Sequence, residues 1–280
     1  MRQINKIIVF AITVITIFSC NEIMLNIEDP IIPESGRVVL IEELTGASCP
    51  NCPKGSAAIE FILNKYPDKV AVIGVHGNFL AQPIKDKSKY DFRNQKAKDL
   101  EKWLEPWYGK PAATTNRILT EDPQEPYAIS SPDLWLAEVE RELQKPNQMN
   151  ILLAVDYDEN KRTIDLDVSV IPLVDLAGNY NISVYLTESD IIDAQSNGSE
   201  YIEDYEHKHV LMDMLTNATG DSFGSNLTAN SIIKKQFPTY TLPVKDGLFN
   251  PEKMEVVVMV SKSDVGVRDV IQAAHVKVKE

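Results

Sequence analysis

Apolar and polar positions change character midway along this chain of 280 residues. In the first half, short unbroken apolar runs alternate with stretches of helical spacing. Arg37-Val38-Val39-Leu40-Ile41-Glu42-Glu43-Leu44 and Val70-Ala71-Val72-Ile73-Gly74-Val75-His76 read as buried strands. Between them Ala57, Ala58, Phe61, Ile62 and Tyr66 recur at helical spacing and predict a helix over 54–66, which Pro67-Asp68 ends. Two apolar strands joined by one helix predict a right-handed, parallel βαβ unit. A charged helix is expected over 90–104, with Phe92, Ala97, Leu100 and Leu104 as its apolar side. A short extended piece over 112–119 follows, then a helix over 132–144 capped by Ser131 with Pro132 in its first turn.

From Asn147 onward the period changes. Thr163-Ile164-Asp165-Leu166-Asp167-Val168-Ser169-Val170 alternates cleanly, the pattern of a strand with one wet face. The run 149–157 joins it through Asp158-Glu159-Asn160-Lys161, a hairpin turn by composition. Further strands are expected over 181–188, 207–215, 237–242, 254–261 and 270–278. About seven strands without a helix among them predict a β-sandwich of immunoglobulin-like type. The boundary falls at Lys145-Pro146, giving an α/β domain over 36–146 and an all-β domain over 147–280.

The first nineteen residues read as an address. Arg2 and Lys6 make a positive start, and the apolar run 7–18 is shorter than the ~20 residues a membrane-spanning helix needs. Ile17-Phe18-Ser19-Cys20 is similar to a bacterial lipobox, which implies cleavage before Cys20 and lipidation of its thiol. Ordinary cleavage of a plain signal peptide is the alternative. Asn21 follows the cysteine, not the aspartate associated with inner-membrane retention, so the outer membrane is the expected destination. Residues 20–35, with Pro30 and Pro33, read as a tether.

Charge narrows the partners. The net charge is −13, and becomes −15 once Arg2 and Lys6 leave with the leader. Such acidity disfavours nucleic acid and anionic lipid surfaces, so lipid on Cys20 would be the hold on the membrane. An apolar fraction of 44% is enough for a sizeable core.

The densest chemical signal is Cys49-Pro50-Asn51-Cys52, at a strand-to-helix junction. With Cys20 lipidated, Cys49 and Cys52 have only each other among the three cysteines. Helix-start amides stabilise a thiolate, taking a thiol from about 8.5 into the range of roughly 3.5–7.5. Cys49, nearer solvent, is expected to be the nucleophile and Cys52 the resolving thiol. A structural staple is the plainer reading, though a four-residue loop contributes only about 1.9 kcal/mol by chain entropy. Metal binding is the third; zinc takes four ligands, and only distant histidines are on offer. No cofactor and no metal are expected. His76 ends the second strand at the sheet edge that carries Cys49, where it would act as a base, stabilise a thiolate, or merely cap the strand. Trp103, Trp107 and Tyr108 would line an apolar platform or pack in the core. His207 and His209 are expected on one face of one strand, as a structural pair or, less readily, a metal pair.

Strand, CxxC, helix, strand and a later strand-opening proline resemble thioredoxin-like proteins. More closely, Leu40-Ile41-Glu42-Glu43-Leu44-Thr45-Gly46 with Cys49-Pro50-Asn51-Cys52-Pro53 resembles the 28-kDa outer-membrane lipoprotein family of Gram-negative bacteria. Tyr108-Gly109-Lys110-Pro111, Asn116-Arg117, His207-Lys208-His209-Val210-Leu211 and Gln272-Ala273 also fit it, with the N-terminal stretch as the specific part. The resemblance implies a thioredoxin-like domain followed by the sandwich. It implies that Glu43 matches a buried acid able to take a proton from Cys52, against a half-exposed strand glutamate, since Glu42 and Glu43 point to opposite faces. It implies that Pro111 matches a cis-proline beside the disulfide, with Lys110 a departure from the usual small or branched neighbour. Thiol–disulfide exchange with protein substrates or a redox partner follows as the expected activity. The competing expectation is a non-catalytic, surface-binding or adhesion lipoprotein using both folds as scaffold.

Overall fold

The computed structural model describes residues 36–279, so the leader, Cys20 and the tether to residue 35 lie outside the described residues. Val39–Leu44 (β1) is buried along its whole length and forms the axis of the first half. Cys52–Lys65 (α1) leads from it to Val70–Val75 (β2), which pairs parallel to β1, Val39 facing Val70 and Leu44 facing Val75. Helix α1 starts two residues earlier than apolar spacing predicts, because turn bonds from Cys52 N to Cys49 O and Lys54 N to Asn51 O wind the CxxC loop into it. Pro53 is therefore the proline of its first turn.

Gln95–Trp103 (α2) is shorter than the predicted span. Asn94 caps it, its Oδ1 accepting from Ala97 N, while the amides of Lys89 and Tyr90 donate to Asp193 and hold the preceding segment extended. Ala112–Thr115 (β3) runs antiparallel to β1, and Ala128–Ile129 (β4) antiparallel to β3. Pro132–Leu143 (α3) packs Trp135 and Val139 with Ile59 and Ile62 of α1 against Val39, Ile41, Val70 and Val72. Odd-numbered positions of β1 thus face α1 and α3. Its even-numbered Leu40 and Leu44 face α2 through Ala97, Leu100 and Leu104.

The second half has eleven strands among the described residues, not seven. They are Met149–Asp158 (β5), Thr163–Pro172 (β6), Leu176–Glu188 (β7), Ile191–Asn197 (β8), Glu200–His207 (β9), Val210–Met214 (β10), Asp221–Leu227 (β11), Ile233–Gln236 (β12), Tyr240–Thr241 (β13), Met254–Lys262 (β14) and Val270–Lys277 (β15). β5 and β6 form the expected hairpin; with β12 and β13 they make one sheet. That sheet packs Leu166, Val168 and Val170 onto Ile182, Val184 and Leu186 of β7 and Val256, Val258 and Val260 of β14.

A self-contained immunoglobulin-like sandwich does not result. The larger sheet runs β15-β14-β7-β10-β2-β1-β3-β4, with β11 on β7, so strands of both halves share it. β10 meets β2 where Val210 faces Gly74, and Gly74 N donates to His209 O at 2.7 Å. The described residues, 36–279, fall within one compact unit, so Lys145-Pro146 marks a change of topology rather than a gap between bodies. β14 is covered on both faces, with Val257 and Met259 turned to the α2 side, which is why 254–260 reads as a near-continuous apolar run.

Candidate functional site

Cys49 and Cys52 are joined by a disulfide between β1 and α1, with Cα atoms 5.4 Å apart. The loop is built tightly from below. Gly46 O accepts from Cys49 N at 3.0 Å, and a Cβ on Gly46 would stand 2.3 Å from the Leu80 carbonyl oxygen, so only glycine lets the 78–81 loop approach.

The expectation that Cys49 lies nearer solvent is corrected: Cys49 is 0% and Cys52 1% exposed. The cover is the hairpin β8–β9. Ser196 N donates to Ala47 O at 2.8 Å and Gly198 N to Pro50 O at 2.9 Å. The Gln195 side chain donates through Nε2 to Gly46 O at 3.2 Å and Cys49 O at 2.9 Å. Neither hairpin nor Gln195 was anticipated from sequence, although Gly198-Ser199 between two strand-length runs is a two-residue hairpin loop with glycine at its first position, where φ is 63°.

Glu43 faces α1, against Gly55. A Cβ on Gly55 would meet Glu43 Oε1 at 2.7 Å, Pro111 Cβ at 2.8 Å and the Trp135 ring at 3.0 Å. The acid, the proline and the first turns of α1 therefore meet at one point. Burial pushes the Glu43 carboxyl up to about 8, against the pull of the Lys110 ammonium. Its Oε1 has no hydrogen-bond partner, as suits a carboxyl that is protonated at neutral pH. The expectation that either Glu42 or Glu43 meets solvent is corrected, since both are buried. Glu42, on the opposite face, is matched by Arg117, whose guanidinium is also fully buried.

The Lys110–Pro111 peptide is cis. Lys110 turns inward, where its ammonium donates to Thr45 O at 2.8 Å and pairs with Glu101. Burial lowers its pKa, while Glu101 and Glu43 raise it. Glu101 also accepts from the amides of Asn78 and Phe79 at 2.8 and 3.1 Å, tying the 78–81 loop to α2. Lys110 and Glu101 are further residues of this site that sequence reasoning left unpaired.

His76, just beyond β2, is buried. Burial lowers its pKa to about 3, with His207 and Lys110 adding to the shift, so the ring is uncharged at neutral pH. It packs with Phe92 at 5.1 Å and His207 at 5.9 Å between ring centres. His207 and His209 do not share a strand face: His207 ends β9, and His209 sits at φ 54° in the link to β10. No group of three His, Cys, Asp or Glu among the described residues is arranged to hold a metal. The guanidinium groups of Arg117 and Arg268 stand over the Trp103 ring, 4.6 and 4.2 Å from its centre. Trp107 and Tyr108 line a shallow hollow of about 500 Å³ with Phe79.

A β-rich chain with mixed sheets, a covered cystine and no described helix able to cross a membrane is the class this geometry defines. The chain belongs to the Omp28 family of outer membrane proteins, whose model matches residues 106–280. Its place is accordingly the outer membrane of the cell envelope. The match begins after the CxxC, so the family is carried by the later segments and not by the N-terminal stretch expected to be its specific part. Among solved structures, HBP35 of Porphyromonas gingivalis is 16% identical with a TM-score of 0.66, over 86% of this chain and 75% of its own. Protein AGR_C_4864 of Agrobacterium tumefaciens is 12% identical with a TM-score of 0.53, over 88% of this chain and 97% of its own. A domain of the outer membrane lipoprotein Omp28 from Porphyromonas gingivalis is 19% identical with a TM-score of 0.33, over 47% of this chain and 88% of its own. No curated protein matches the sequence.

The family-like residues outside the CxxC tie the halves together. Asn116 Oδ1 accepts from Leu40 N at 2.8 Å and its carbonyl oxygen from Val270 N at 2.9 Å, and Gln272 Oε1 accepts from Val38 N at 2.9 Å. Their role is to fix β1, and with it the loop that bears the disulfide.

Proposed function

We propose that this protein is anchored by lipid on Cys20 and exchanges thiols and disulfides with protein substrates through Cys49 and Cys52, in a thioredoxin-like segment. The strand order β2-β1-β3-β4, with β3 antiparallel and helices on both faces, supports that reading of the first half. One observation carries the activity: the cystine opens a helix whose first turns pack, at Gly55, on the buried Glu43 carboxyl and on Pro111. A substrate thiolate attacks the Cys49 sulfur, the S–S bond breaks, and Cys52 leaves with the electron pair. Glu43 holds the proton that neutralises the leaving thiolate. The second substrate thiolate then displaces Cys49, so the substrate dithiol is oxidised and the protein disulfide reduced; the reverse order reduces a substrate disulfide.

The test is equilibration with a glutathione redox buffer and turnover of a disulfide-bonded protein substrate, comparing wild type with Cys49→Ser and Cys52→Ser. Exchange abolished by Cys49→Ser, with a mixed disulfide trapped in Cys52→Ser, is expected. A cystine that neither equilibrates nor turns over rejects the activity. The second reading, a scaffold whose cystine is a staple, is favoured by the near-zero exposure of both sulfur-bearing residues.

A further inference from the structure

The hairpin over the disulfide stands apart from both large sheets: β8 and β9 pair only with each other. Six of the eight residues of β9 are exposed, and an isolated two-stranded hairpin is marginally stable in water. What holds its tip down is specific. The end of β8 and the turn glycine, 195–198, lie along the CxxC loop and supply two amides and one side-chain NH₂ to the carbonyls of Gly46, Ala47, Cys49 and Pro50. Those carbonyls belong to the segment that an incoming polypeptide must approach to bring its sulfur to Cys49.

We propose that the β8–β9 hairpin is a lid occupying the place of a substrate segment, that Gln195 is the positioning residue that latches it, and that the substrate is a polypeptide segment able to donate backbone amides to Ala47 O and Pro50 O. This rests on the exchange reading for the word substrate, but lid opening is measurable without it. Near its base the hairpin is fixed to the body by Asp193, which accepts from Lys89 N and Tyr90 N at 2.8 and 2.9 Å. Opening therefore lifts the tip, 195–200, and leaves the base in place.

The experiment follows reduction of the cystine in the full-length chain by tris(2-carboxyethyl)phosphine over a wide range of reductant concentrations. With a lid, the rate levels off as opening becomes limiting, and Gln195→Ala raises the plateau about tenfold. A rate linear in reductant to the highest concentration, unchanged in Gln195→Ala, overturns the proposal. Native-state hydrogen exchange of the wild type covers the case of a misfolded variant. The amides of Ser196 and Gly198 should exchange at least tenfold faster than those of β1, and protection equal to β1 overturns the lid. The two readings separate cleanly. Accelerated reduction without turnover of a protein disulfide keeps the lid and rejects the exchange activity; turnover without acceleration does the opposite.

Discussion

Arg117 donates Nε to Glu42 Oε2 at 2.7 Å while both side chains are fully buried, an ion pair spanning β1 and the turn after β3. Tyr185 of β7 joins it, its hydroxyl accepting from Arg117 and donating to Glu42 at 2.7 and 3.1 Å. Because these charges have no water, each depends on the other. Arg117→Leu or Glu42→Leu alone should cost about 3–5 kcal/mol in urea unfolding, and the double replacement by leucine much less than the sum. Additive losses would show that the pair is not coupled.

Glu43 gives stability an unusual pH dependence. Its folded pKa of about 8 lies above the ordinary 4.5, so the folded state keeps a proton that the unfolded chain releases. The contribution is complete below pH 4.5 and declines as pH rises to 8, at about 1.4 kcal/mol per unit. Glu43→Gln removes that titration. Its urea midpoint should fall less than that of wild type between pH 5 and 8, and equal slopes would exclude a protonated Glu43.

His76 and His207 act in the opposite range. Burial lowers them to about 3 and about 4 from 6.5, so their neutral rings cost nothing above pH 6.5. As pH falls below 6.5 the unfolded chain gains protons first, and stability drops until the folded rings titrate. His207→Phe, which keeps an aromatic ring 4.7 Å from Phe92, should flatten the acid limb measured by thermal unfolding between pH 6.5 and 4. An unchanged limb would assign the acid loss elsewhere.

Gly46 is where two backbones nearly touch. Gly46→Ala sets a methyl 2.3 Å from Leu80 O and 2.5 Å from Ala81 Cα, with no side chain to give way. The expected loss is about 1–3 kcal/mol from overpacking, with displaced amide resonances in 46–52 and 78–81. Wild-type shifts in both loops would show that the contact is slack.

Apolar periodicity was enough to mark β1, α1, β2, α3, β5, β6 and β14, because each buries a whole face or both, and such burial leaves a period in the residues themselves. It also marked the CxxC, since cysteine spacing at a strand-to-helix junction is local chemistry. The hairpin β8–β9 escaped. Its outer strand, Glu-Tyr-Ile-Glu-Asp-Tyr-Glu-His, is mostly exposed and carries no alternation, and only the Gly198-Ser199 turn betrays it. The burial of Glu42 and the inward pairing of Lys110 and Arg117 escaped as well. A charge in sequence says nothing of its burial until the partner that permits it, 68 to 75 residues away for Arg117, is brought alongside.

Residue order alone thus determined the outer-membrane address, the strand-turn-helix that makes a cystine, and the change of period midway along the chain. Tertiary structure decided that the cystine is roofed, that both halves share one sheet, and that a carboxyl beneath the helix keeps its proton. The physical reason is range. Periodicity and cysteine spacing act within one or two turns of chain, whereas exposure and ionisation depend on whatever the fold carries in from far away.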